Sequence, residues 1–309
     1  MTTNYPRFVV LLAAFNGVPY LAEQLDSILA QTNVLVSVII SVDRSMDGTE
    51  EWADQRARMD KRITTLTHGV QFGGAAPNFF RMIREIDFSE YDYVSFSDQD
   101  DIWLPNKLIR SHEILLETNS DAYSSNVMAV WPNGRRILVK KSQPQVRWDF
   151  LFESAGPGCT FVIKKLFAKS IQFYIKKNLN KIEQVDKGQH DWFIYAFARA
   201  NGYRWVIDEY AGMLYRQHEK NLVGVNSGWA AFLYRARRVL SGWGLSQSLL
   251  IAKLIGLNDD PFVTRWSQGG RGGMLFLAIQ ARQCRRLLID QIIFAIACVI
   301  LSVVGRNKR

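Results

Sequence analysis

Short, continuously apolar runs alternate four times with amphipathic segments over about the first 120 residues, and this restricts the chain to an α/β architecture. FVVLLAAFNG (Phe8–Gly17) is apolar without a break and ends in Asn-Gly, the pattern of a strand buried on both faces of a parallel sheet. A helix over YLAEQLDSILAQT follows, with Leu21, Leu25, Ile28 and Leu29 on one face. LVSVIISVD is a second buried strand, and TEEWADQRARM a helix with acidic residues in its first turn. RITTLTH reads as a weaker strand, GVQFGGAAPNFFRMIREI as a Gly-rich loop entering a helix, YDYVSFSD as a strand and NKLIRSHEILLET as a helix. AYSSNVMAVWP, RRILVKK and GCTFVIKK then read as strands, the last with room for a bend at Gly156-Pro157-Gly158, HDWFIYAFARANG as an amphipathic helix, and RWVID and YAGMLYRQH as two further strands. The opening segment MTTNYPRFVVLLAAFNG lacks a basic n-region and a cleavage site, so it is read as the first strand and not as a signal peptide.

Ligands of open α/β sheets sit at the carboxyl ends of the strands, so the residues there carry the functional reading. They are Asn16 after the first strand, Asp43 and Asp47 after the second, and Asp98, Asp100 and Asp101 after the fourth. A single Asp in a turn is ordinary. Three carboxylates within FSDQDDIWLP repel one another and point to a hard divalent cation, Mg²⁺ or Mn²⁺, held by oxygen ligands together with substrate phosphates. Neither G-x-G-x-x-G nor G-x-x-x-x-G-K-[ST] occurs, which disfavours a dinucleotide oxidoreductase or a P-loop enzyme. The three cysteines, Cys159, Cys284 and Cys298, are widely spaced in sequence without metal-ligand spacing and fit a reducing compartment.

LLAAFNG, YLAEQLDSILAQT, SVIISVDRSMDGT and VSFSDQDDIWLPNKL, in this order, resemble an inverting family 2 glycosyltransferase of the GT-A fold, over about residues 7–225. The resemblance implies a Rossmann-like mixed sheet flanked by helices and a nucleoside diphosphate sugar donor. Asn16 and Asp43 would contact the nucleotide, although Arg44 stands where the family has a second Asp. Within DQD, Asp98 would lie near the ribose and Asp100 on the metal. Asp191, at the start of the HDWFIYAF helix, resembles the catalytic base, because an acceptor hydroxyl needs a carboxylate to take its proton as it attacks the sugar carbon. His190 beside it is read as a neighbour. YRQHEKNLVG resembles an element of bacterial rhamnosyltransferase-like members, in which His218 would complete the metal shell or bind the diphosphate. Arg216 or Lys220 would offset the leaving charge. The Arg-Trp pairs at Arg147, Arg204 and Arg265 lack a Gln three residues earlier, so a processive synthase is not expected.

All of the net charge of +9 falls in the last quarter: Trp229–Arg309 has 12 Lys and Arg against 3 Asp and Glu. This puts a boundary near Asn226–Gly228, giving a catalytic domain at residues 1–228 and a basic, apolar helical membrane-associating region at 229–309 that is expected to be removable. WAAFLYRARRVLSGWGL, with Trp229, Tyr234 and Trp243, has the composition of an interfacial helix. The uncharged run Ile292–Val304 falls short of the ~20 residues a span needs, which favours a monotopic anchor over a span or a soluble cap. Basic residues beside it point to an anionic membrane surface, on the cytoplasmic face of a bacterial inner membrane. The expected reaction moves a sugar, L-rhamnose from dTDP-L-rhamnose, to a saccharide acceptor linked to polyprenyl diphosphate. A metal-dependent nucleic-acid enzyme is the rival reading. It is disfavoured because the basic residues are interleaved with apolar stretches. A catalytically dead binding module of the same fold is a second rival, disfavoured by the intact Asp100 and Asp191.

Overall fold

The strand β1, Arg7–Ala14, is buried at every position after Arg7, which places it inside a sheet covered on both faces. The computed structural model describes residues 5–218 and 242–304. The remaining strands are β2 (Leu35–Val42), β3 (Ile63–Thr65), β4 (Tyr93–Ser97), β5 (Ile102–Trp103), β6 (Ala122–Val130), β7 (Arg136–Val139), β8 (Val162–Lys164) and β9 (Trp205–Arg216). They form one sheet in the order β3-β2-β1-β4-β8-β6-β9-β5, with β7 paired to β6. β1 is parallel to β2 and β4, β2 to β3, and β6 to β9. The pairs β4–β8, β5–β9, β6–β7 and β6–β8 are antiparallel, so the sheet is mixed. The helices of this half are α1 (Val18–Leu29), α2 (Thr49–Met59), α3 (Ala75–Glu85), α4 (Lys107–Glu117), α5 (Lys165–Lys177), α6 (Leu179–Ile182) and α7 (His190–Ala200).

The local readings hold for the first four strand–helix pairs, apart from the short β5 inside the fourth, and differ from the structure further along. GCTFVIKK is not one strand, because Gly158–Thr160 forms a 3₁₀ turn ahead of β8. The two segments RWVID and YAGMLYRQH are a single strand, β9, whose register with β6 shifts around Ser125, Asn126 and Met128. β5 and α5 were not expected; β5 has two residues, while α5 buries Phe167, Ala168, Ile171 and Ile175. α7 is not amphipathic: every residue from Trp192 to Ala198 is buried, so the helix is core on all sides.

The chain separates into two compact units. The first, Met1–Ser142, Ala155–Ile194 and Gly202–Gly224, holds the whole sheet. The second joins Gln143–Ser154 and Tyr195–Asn201 to Val225–Arg309, so the C-terminal residues do not make a unit by themselves. Its described helices are α8 (Trp243–Leu254), α9 (Pro261–Gln268), α10 (Gly270–Ile279), α11 (Ala281–Cys284) and α12 (Leu288–Val304). Trp148 stacks on Phe262 at 4.5 Å between centroids, and Phe152 meets Phe294 edge-on at 5.1 Å. The Trp148 N–H donates to the Gln283 carbonyl at 2.8 Å. A charge boundary in sequence therefore does not mark an appended tail. The expected boundary at Asn226–Gly228, Trp229, Tyr234 and the candidate contact Lys220 lie outside the described residues.

Candidate active site

Three strand ends of the first unit are tied together by polar side chains. Asn16, after β1, has φ of 45°, a conformation Asn tolerates, and its Oδ1 accepts the Met46 N–H at 2.9 Å. The Asn16 N–H donates to Ser45 Oγ at 3.0 Å, so the loops after β1 and β2 hold each other. Gln99 joins the third end: its Oε1 accepts the Phe15 N–H at 2.7 Å and its Nε2 donates to the Phe15 carbonyl at 2.9 Å. Gly17 makes room for this clamp, since a Cβ there would lie 2.2 Å from Gln99 Oε1. Asp43 is buried and accepts the Phe72 and Gly73 N–H groups, one on each oxygen, both at 2.7 Å. Asn16 and Asp43 thus shape the loops, and Asp43 holds the Gly-rich loop in place.

The carboxylates after β4 gather around one another. Burial, then Asp100 and Asp191, push the Asp98 carboxyl up to about 7. Asp191, in the first turn of α7, is therefore an electrostatic neighbour of Asp98. Its Oδ1 accepts the Trp192 N–H at 2.7 Å. Asp100 Oδ2 lies 2.8 Å from His218 Nε2, and the His218 ring stacks on Tyr20 at 4.7 Å. Arg216 donates from Nε to the Asp100 carbonyl at 2.9 Å and from Nη2 to Glu23 at 2.6 Å, so it braces Asp100 and already has an anionic partner.

Asp101, Cys159 and Lys107 complete the cluster, and the sequence reading assigned none of them a role of its own. Ligand-type atoms of Asp98, Asp101 and Cys159 lie within 4.8 Å of one another, although the cysteine is distant in sequence. The 3₁₀ turn Gly158–Thr160, just ahead of the strand β8 that pairs with β4, puts it there. Burial, then Asp101 and Asp98, push the Cys159 thiol well up, so it keeps its proton and acts as a donor to carboxylate instead of a thiolate ligand. Burial, then Asp100 and Asp98, likewise raise Asp101 well above the usual carboxylate range. The donor set for a cation is therefore carboxylate oxygen with an imidazole alongside, which fits Mg²⁺ or Mn²⁺. Burial first, and then the neighbouring Asp100 and Asp191, raise Asp98, and a divalent cation would oppose the second of these effects.

His190 is excluded as a base. Burial drives its imidazole down to about 3, neither ring nitrogen has a hydrogen-bond partner, and the ring stacks on Phe79 at 4.2 Å. It acts as a wedge: a Cβ on Gly158 would fall 2.4 Å from His190 Nε2 and 3.3 Å from Asp191 Cβ. Gly158→Ala should displace the start of α7 and lower kcat by on the order of tenfold to hundredfold, with nucleotide affinity by calorimetry unchanged. Equal losses in both quantities would show a general packing defect instead.

Comparison with known proteins agrees with this geometry. Residues 9–182 match the family model described as glycosyl transferase family 2. The chain is 40% identical over 293 residues to the dTDP-rhamnosyl transferase RfbG of Shigella flexneri, covering 94% of this chain and 100% of that protein. It is 24% identical over 155 residues to an Escherichia coli enzyme, UDP-Glc:alpha-D-GlcNAc-diphosphoundecaprenol beta-1,3-glucosyltransferase WfgD, covering 50% of this chain and 58% of that one. Among solved structures, S. aureus TarS 1-349 superimposes with a TM-score of 0.56 at 18% identity, over 96% of this chain and 81% of that one. A Pyrobaculum calidifontis mannosyltransferase in complex with GDP-Man and Mn2+ gives 0.54 at 15% identity, over 97% and 88%. These two likenesses bear on the fold, which is GT-A. With an acidic strand end facing a helix-borne carboxylate and a family match over more than half its length, the chain belongs to the inverting glycosyl transferase family 2.

Proposed function

We propose that this chain transfers L-rhamnose from dTDP-L-rhamnose to a lipid-linked saccharide, with inversion at the anomeric carbon, in the synthesis of a bacterial surface polysaccharide. The reading is carried by Asp191 in the field of Asp98 after β4, on a chain that is 40% identical to a dTDP-rhamnosyl transferase along nearly its whole length. Asp191 takes the proton from the acceptor hydroxyl as that oxygen attacks the sugar carbon. Asp98 faces the ribose, and Asp43 fixes the Phe72–Gly73 loop over the nucleotide. Asp100 and His218 would hold Mg²⁺ or Mn²⁺, which when bound offsets the charge of the departing diphosphate. Arg216 keeps Asp100 in position from the side. Lys220 is retained as a second cation for the leaving group, and a polyprenyl diphosphate is retained as the acceptor's carrier.

Asp100→Ala tests the metal assignment. Thermal stabilisation by dTDP should depend on Mg²⁺ or Mn²⁺ in the wild type and lose that dependence in the variant. Unchanged metal-dependent stabilisation would remove Asp100 from the site. A pH effect accompanies it. The Asp98 carboxyl is raised from 3.8 to about 7, so in this range the folded chain holds a proton that the unfolded chain has lost. Its contribution to metal-free stability is present below the unfolded value and is lost as pH rises towards about 7, while Mn²⁺ affinity rises over the same window. Calorimetric titration at about pH 5.5 and about pH 8 should give the tighter binding at the higher pH; equal affinities would contradict this.

The membrane assignment is part of the same proposal: the enzyme works at an anionic cytoplasmic surface of the inner membrane. Ile289, Ile292, Ile293, Ile296, Val299 and Val303 of α12 are all exposed, and they recur at helical spacing as one apolar stripe. No described helix is long and apolar enough to cross a membrane, so the stripe suits a helix lying in the interface. Ile296→Glu with Val299→Glu should abolish flotation with phosphatidylglycerol vesicles. Flotation unaffected by the double change would locate the contact elsewhere.

A further inference from the structure

In chain order α5 lies between the turn that carries Cys159 and the helix α7 that carries Asp191, and it presents two unlike faces. Inward, Phe167, Ala168, Ile171 and Ile175 are buried. Outward, Leu166, Lys169, Phe173, Lys176 and Lys177 recur at helical spacing and are exposed, and the exposed Lys181 of α6 follows them. Leu166 is 78% exposed and Phe173 61%, so two large apolar side chains stand in water among lysines. Lys177 Nζ sits 4.2 Å from the Phe173 centroid, a cation–π contact. From Lys164 to Lys187 the chain has seven lysines, no arginine, and only Glu183 and Asp186 against them. The neutral total over residues 1–228 conceals this patch, because acidic residues elsewhere cancel it. Among the described residues none of Lys169, Lys176, Lys177 and Lys181 is in an ion pair, although Asp87 stands in the field of the first two.

Lysine spaced between exposed Leu and Phe is the chemistry of a helix at a bilayer surface. The apolar side chains enter the headgroup boundary, and the flexible ammonium groups stay among the phosphates. Protein interfaces are depleted in Lys, and single-stranded nucleic acid is tracked by a groove, where this is one outward helix face. We propose that α5 is a membrane contact on the sheet-bearing unit itself, with Leu166 and Phe173 at the headgroup boundary of an anionic bilayer and Lys169, Lys176, Lys177 and Lys181 against its phosphates. This rests on the reading that the enzyme works at an anionic membrane surface, and it adds a second contact to the stripe of α12. Its consequence concerns the acceptor. α5 runs on through α6 towards α7, so docking of α5 holds the start of α7, and Asp191 with it, at the bilayer in which a lipid-linked saccharide is anchored. One short helix face binds weakly by itself, so α12 is still required for flotation.

The experiment attaches an environment-sensitive fluorophore to Phe173→Cys of the full-length protein and, for comparison, to Met59→Cys on α2, a position 73% exposed. Cys159, Cys284 and Cys298 are all buried, so the introduced thiol is the one labelled. Each protein is titrated with vesicles of phosphatidylglycerol and phosphatidylcholine, and with phosphatidylcholine alone. The Phe173 label should shift to the blue and be quenched by bromine-bearing lipid in the anionic vesicles only, while the Met59 label does neither. Changing Lys169, Lys176 and Lys177 together to Glu should weaken vesicle binding at least about tenfold and flatten its salt dependence. Stabilisation by dTDP should be unchanged in that variant, since none of the three lysines belongs to the active site. Wild type that floats with anionic vesicles while its Phe173 label stays in water would overturn the proposal and leave the α12 assignment standing. Wild type that does not float would remove both. A blue shift that grows with protein concentration in the absence of vesicles would assign this face to a second copy of the chain and refute the lipid contact.

Discussion

Replacing Asp191 by Asn is expected to reduce turnover by at least about 10²-fold, the lower range for a positioned general base, and to leave donor binding intact. Asn preserves the local structure, because its Oδ1 can still accept the Trp192 N–H that the Asp191 carboxylate accepts at 2.7 Å. It cannot take a proton. His190, Asp100 and Asp101 are not suited to replace it. His190 is adjacent in sequence but buried, with its imidazole pushed down to about 3 and its ring against Phe79. Asp100 is paired with His218, and Asp101 is sealed in the interior. Donor affinity should not fall, and relief of the repulsion that raises Asp98 should favour the nucleotide's metal if it changes binding at all. Single-turnover kinetics with saturating acceptor separate binding from chemistry. Turnover within a few-fold of wild type would assign the base to another residue.

What could be read from the sequence was whatever local chemistry sets. α2 runs over Thr49–Met59, the segment marked by Gly48 before it and by Glu50 and Glu51 in its first turn. Asp98, Asp100, Asp191 and His218 were legible because the D-x-D, helix-start and YRQH elements each lie within a few residues. Their convergence is tertiary: β5 pairs with β9, which brings Arg216 and His218 to Asp100. Cys159 and Lys107 escaped for the same reason, since nothing in their neighbourhoods announces that β8 and α4 meet at the acidic end. α5 had a usable signal in the spacing of Phe167, Ile171 and Ile175. α7 did not, because its core is contributed by residues far away in sequence and a helix buried all round has no polar stripe to reveal its faces.

Charge misleads most in the C-terminal region, and the second unit shows why removing that region should destabilise the chain instead of trimming it. Asp149 is wholly buried and accepts from Tyr195 OH and from Arg199 Nη1, each at 2.9 Å. Arg286 comes from beyond α11, and its Nη1 stands 3.6 Å from Asp149 Oδ2 with both side chains almost completely enclosed. Its Nη2 donates to the Ser154 carbonyl at 2.5 Å and its N–H to Glu153 Oε1 at 2.7 Å. Arg285 donates to the Phe152 carbonyl at 2.8 Å. Two of the basic residues that give the tail its charge therefore work as internal partners of Gln143–Ser154. Breaking a buried pair by deleting one member costs about 3 kcal/mol or more, so Arg286→Met should lower the melting temperature by on the order of 10 °C. Removing everything from Gly270 onward takes away both arginines, the aromatic partner Phe294 of Phe152 and the Arg286 guanidinium beside Asp149. The truncated chain should aggregate or unfold at ordinary temperatures. A truncated chain that stays soluble, melts cooperatively near the wild-type temperature and still binds dTDP would show the C-terminal helices to be a removable appendage after all, and the ionic hub around Asp149 to contribute little.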